Sequence, residues 1–136
     1  MAQSVASTSA FIRGRTQVVF TGSVARTDTS AKDLFTLKAG DIPVRLYTWG
    51  TAASNAGTSA TISVGSTSNV AYFVGGLDVK SATLTSGGLG QAVPSSAANL
   101  MTPLSFDTTV QATYAEGGSA SSTGGPWIVV MEVLTV

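Results

Sequence analysis

The residues able to do chemistry are few. Seven carboxylates (Asp28, Asp33, Asp41, Asp78, Asp107, Glu116, Glu132) stand against seven basic residues, and histidine and cysteine are absent. Without histidine no side chain has an ordinary pKa suited to general base work near neutrality, and without cysteine there is no thiolate nucleophile. A Ser–His–Asp triad cannot be assembled from this chain. Zinc sites built on Cys or His ligands are excluded on the same ground. Two carboxylates can hydrolyse a glycoside, but the acids here are scattered over turns and polar strand positions, where they read as solubilising and turn-forming groups. Asp28, Asp33 and Asp41 gathered at one end of a sandwich would offer oxygens to calcium, but their spacing fits no calcium-loop pattern. "GGLGQ" at 87–91 is Gly-rich, yet it has no strand–helix setting and no following Lys to make a phosphate cradle. The chain reads as a binding or structural protein, not an enzyme, with no cofactor and no metal.

The elements that position these residues follow from an unusual composition. Hydrophobic residues make up 43% of the 136 and charged residues only 10%, against roughly 25% charged in an average soluble domain. Disordered chains show the opposite balance. The polarity is carried by Ser, Thr, Asn and Gln, which suits a packed β protein lying against something else. Every basic residue precedes position 81, and Arg13, Arg15 and Arg26 precede the first acid, Asp28. That asymmetry can orient a docked protein. It is too sparse for a nucleic-acid footprint. No apolar run reaches membrane-span length and no signal-peptide layout opens the chain, which fits synthesis in a cytoplasm and no membrane partner.

Residues 1–14 read as an N-terminal arm and 15–136 as one domain. "TQVVFTGSVA" puts Val18 and Phe20 on one face and Val19 on the other. "IPVRLYTW" alternates Ile42, Val44, Leu46 and Thr48 with Pro43, Arg45, Tyr47 and Trp49. "TAASNAGTSATISVGSTSN" is a turn, a strand and a second turn, with Ala60, Ile62 and Val64 facing one way. "VAYFVGG" is expected to be the next strand. "SFDTTVQATYA" places Phe106, Thr108, Val110, Ala112 and Tyr114 on one face. "EGGSASSTGG" is expected to be a flexible hairpin tip, and "PWIVVMEVLTV" a strand buried on both faces. Helical periodicity is absent. The prediction is an all-β, single-domain antiparallel β-sandwich or jelly roll of about eight strands with an extended N-terminal arm.

Two groups of residues stand out as binding candidates. Phe11 with Arg13 and Arg15 is the candidate docking element, the alternative being a frayed terminus. Tyr47 and Trp49 share one face of their strand. Facing inward they are core, and facing outward they anchor a subunit interface or stack on a sugar. Core or interface is the favoured reading.

The order of segments resembles a group of small structural proteins of tailed bacteriophages. The resemblance is carried by "LFTLKAGDIPVRLYTWGTAASNAGTSATISVGSTSNVAYFVGGLDVKSA" and "TPLSFDTTVQATYAEGGSASSTGGPWIVVMEVL", and it spans residues 33–134. Lys38 stands where that group commonly has Pro, and the arm lies outside the match. What the resemblance implies is a capsid decoration, or cement, protein. Its partners would be the major capsid protein and copies of itself, as a dimer or trimer, and its place the outer capsid surface of the virion. A tail, neck or fibre component and a carbohydrate-binding module built on Tyr47 and Trp49 are the alternatives.

Overall fold

The computed structural model describes residues 15–50, 52–80, 89–93 and 99–136. The arm residues Phe11 and Arg13 lie outside them. The described residues form eight strands: β1 Thr16–Val24, β2 Lys32–Leu37, β3 Ile42–Gly50, β4 Ser59–Gly65, β5 Val74–Asp78, β6 Leu89–Val93, β7 Thr108–Gly117 and β8 Trp127–Thr135. They build two four-stranded antiparallel sheets, ordered β1-β8-β3-β6 and β2-β7-β4-β5. The pairings nest: β1 with β8, β2 with β7, β3 with β6, β4 with β5. One long hairpin folded over on itself in this way is a jelly roll.

Alternation decides which side of each strand is inside. Val24, Leu46, Trp127, Val129, Met131 and Val133 from the first sheet meet Leu37, Ile62, Val64, Val110 and Tyr114 from the second, all at most 1% exposed. Where β8 begins, the Tyr114 ring (β7) stacks on the Trp127 indole (β8) at 5.4 Å and 12°, joining the two sheets. The Tyr114 hydroxyl shares a buried 2.7 Å hydrogen bond with Ser54 Oγ, so its one polar atom is satisfied. Gly50 lies opposite Trp127 in register, and a Cβ there would run into the indole ring.

Three expectations change. β7 begins at Thr108, so the inward alternation holds from Thr108 to Tyr114 but Phe106 precedes it and points out. The strand expected from Val70 begins at Val74, because residues 66–72 make tight turns in which the Asn69 carbonyl accepts from Ser66 and Tyr72. Residues 118–126 are not a hairpin tip. They carry the chain from one sheet to the other and are tied down by side chains. Asn55 Oδ1 accepts from the amides of Ser122 and Thr123 at 2.8 and 3.0 Å. Glu116 accepts from the Ser121 amide and hydroxyl, each at 2.7 Å.

Gly50→Ala is expected to destabilise the fold by about 1–3 kcal/mol through overpacking against Trp127, measured as a lower urea midpoint at unchanged m-value. The Ser121 amide, then its hydroxyl, hold the Glu116 carboxyl below its ordinary range. A carboxylate depressed by native contacts stabilises at higher pH and loses that contribution as pH falls through its folded value. The Ser121 amide resonance should therefore titrate with a midpoint below the ordinary glutamate range and stop titrating in Glu116→Gln. An ordinary midpoint would remove this contact from the account.

Candidate interaction surfaces

The carboxylates have local duties. Asp28 accepts from the Ala25 amide at 2.7 Å and pairs with Lys32 at 3.4 Å. Asp33 accepts from Gln111 at 2.6 Å. Buried Asp41 accepts from the amides of Lys38 (2.8 Å) and Val136 (3.0 Å). Asp107 caps the Ala39 amide at 2.9 Å. Asp28 and Asp41 follow successive strands and so sit at opposite ends of the sandwich, with Asp33 between them on β2. Among the described residues no three acids come together in a way that would hold a metal ion.

What the structure assembles instead is apolar surface, in two places. The first is the outer face of the β1-β8-β3-β6 sheet. A bulge between Pro43 and Arg45 resets the alternation of β3. Pro43, Leu46 and Thr48 are buried, while Arg45, Tyr47 and Trp49 face outward. Tyr47 and Trp49 therefore face away from the core. Register places Trp49 beside Ile128 and Ser23, and Tyr47 beside Val130 and Thr21. The next row is Arg45, Glu132 and Val19. Trp49 is 44% exposed, Ile128 37% and Val19 56%. The charges on this patch are paired: Arg45 Nη1 lies 3.3 Å from Glu132, and its guanidinium sits 5.3 Å over the Tyr47 ring. β8 was expected to be buried on both faces, but its outer residues Ile128, Glu132 and Leu134 keep access to solvent.

The opposite sheet shows how this chain treats water. Its outer face carries Thr61 and Ser63 from β4 and Thr109, Gln111, Thr113 and Ala115 from β7. These are small, mostly hydroxyl or amide side chains, the polar-out pattern of a solvated antiparallel sheet. The first sheet departs from that pattern.

The second apolar surface is the end of the sandwich where the chain enters β1. There the 99–107 segment lies across the β2–β3 turn, with Leu104 N donating to Asp41 O and Gly40 N to Leu104 O, both at 2.9 Å. Phe106 is 74% exposed, and Val70, Met101 and Val136 at the same end are each more than half exposed. Phe106 forms the rim of a cleft of about 280 Å³, lined also by Ser66, Tyr72, Leu104, Asp107 and Thr109. Arg15, the described root of the arm, donates to Gly40 O at 2.7 Å and fixes where the arm leaves. Sequence reasoning found Arg15 but missed Phe106, because "SFDTTV" continues the alternation of β7 without a break.

No family model matches the chain, and neither does any curated protein. Solved structures do. A chain of the cyanophage Pam1 capsid asymmetric unit aligns at a TM-score of 0.63 and 18% identity, over 90% of this chain and 87% of that one. A chain of the acidic stable capsid structure of Helicobacter pylori bacteriophage KHP30 aligns at 0.61 and 13% identity, over 88% and 87%. At these identities the likeness is one of fold. The near-equal coverage means that the matched chains are about as short as this one.

Asp41→Ala leaves the Lys38 and Val136 amides without their acceptor. It is expected to cost about 1–3 kcal/mol. The Val136 amide should lose hydrogen-exchange protection, while amides in 118–126 at the opposite end keep theirs.

Proposed function

We propose that the protein is a bacteriophage capsid decoration protein, made in the host cytoplasm, that binds the outer surface of the shell and bridges neighbouring major capsid protein subunits. One observation carries the reading. Exposed Phe106, Met101, Val70 and Val136 gather at the end from which the arm leaves. An exposed apolar end of this kind marks a docking surface. The likeness in fold and size to chains of two phage capsids supports a place in a virion shell. The structural duties of the carboxylates speak for binding over catalysis.

In this reading Phe11 and Arg13, with Arg15 at the root, reach along a coat subunit while Phe106 seats beside them. A protein that binds the assembled shell and not free subunits stabilises the shell by linkage. Many copies, each joined to the shell through two attachment points, hold more firmly than one contact would. No membrane or nucleic acid is required.

The test is binding of the full chain to purified capsids that lack it, followed by co-sedimentation. Phe106→Ser and deletion of residues 1–14 should each weaken attachment by at least about tenfold, the scale of a central aromatic anchor. Both should keep the β-sheet circular dichroism of the wild type. Wild-type binding by both variants would remove this end of the molecule from the attachment.

A further inference from the structure

The outer face of the β1-β8-β3-β6 sheet is separate from the docking end, and its occupant can be argued from the face itself. Toward one end of its strands it carries the apolar row of Trp49 and Ile128 and the adjoining row of Tyr47 and Val130. Among the described residues its side chains carry one Arg and one Glu, already paired. A face with a single cation and a single anion has no net charge and is complementary to itself. A strongly basic or acidic partner would find no matching field there.

The dimensions also fit. Three nine-residue strands and the shorter β6 make a platform roughly 30 Å by 20 Å. That is on the order of 600 Å² per partner, the lower end of specific interfaces, whose standard size is about 800 Å² per partner. Aromatic residues and Arg on the inner strand β3, with Ser23, Thr21 and Gln17 along the β1 edge, match the residue types of an interface core and rim.

We propose that this sheet face packs against the same face of a second copy of the chain, giving a dimer through Trp49, Ile128, Tyr47 and Val130. The inference stands on the sheet face and holds whether or not the shell reading does. In the dimer β8 becomes a strand covered on both sides, as its sequence demands. Arg45 and Glu132 meet their counterparts across the interface as well as each other.

Sedimentation velocity of the full chain tests it without any capsid. The wild type should show the mass of a dimer that dissociates on dilution. Arg45→Glu leaves two acids on each face and Glu132→Arg leaves two arginines. Each variant alone should lose self-association by at least about tenfold, because like charges then oppose one another. An equimolar mixture should recover the dimer mass as a mixed pair. This recovery also reports that both variants are folded. A wild type that stays monomeric across the concentration series overturns the proposal. So does a trimer, a variant that keeps its dimer, or a mixture that stays monomeric.

Discussion

β8 is apolar on both faces. Trp127, Val129, Met131 and Val133 point one way, and Ile128, Val130 and Leu134 the other. A strand of this kind has to sit in the middle of a sheet and needs cover above and below. The jelly roll supplies the position, between β1 and β3, and supplies cover on one side only. The inner half of the requirement makes the fold, and the outer half leaves an apolar sheet face in contact with solvent.

The inner half explains the tightest packing in the molecule. Trp127 brings the largest buried side chain to the sandwich, and the chain gives way around it. Gly50 has no side chain opposite it, and Tyr114 comes across from the other sheet as a flat stack. Because Tyr114 is on β7 and Trp127 on β8, this contact links two strands that are consecutive in sequence but lie in different sheets. Residues 118–126 must therefore cross the top of the sandwich, and Asn55 and Glu116 hold them there. The other end is closed differently, by buried Asp41 gripping the last residue of the chain, which leaves Phe106 and its neighbours pointing out.

Much of this was legible in the sequence, where alternation is unbroken and bounded by turn residues. Alternation gives β1, β4 and the body of β7 their inward faces, and the run of short strands and turns points to a β-sandwich or jelly roll without giving the strand order. The failures have identifiable causes. Alternation groups Pro43 with Arg45, Tyr47 and Trp49, but the bulge between Pro43 and Arg45 leaves Pro43 buried, and alternation alone cannot show a bulge. Phe106 has the period of β7 but precedes its first ladder bond. "VAYFV" has strand composition, yet turns anchored on Asn69 occupy its first half. The run of Gly and Ser at 117–125 looks like a hairpin tip from composition, since nothing local tells a hairpin from a crossover between sheets. Three of the exposed apolar residues, Phe106, Met101 and Val70, sit in connections, which periodicity does not read.

The proposed function is decoration of a virus shell. It is tested most directly by the ratio of this chain to the major capsid protein in purified particles of the virus that carries it, measured by quantitative mass spectrometry. The account predicts a simple fixed ratio, with copies spread over the whole shell. A handful of copies per particle, confined to one vertex or to the tail, would contradict it.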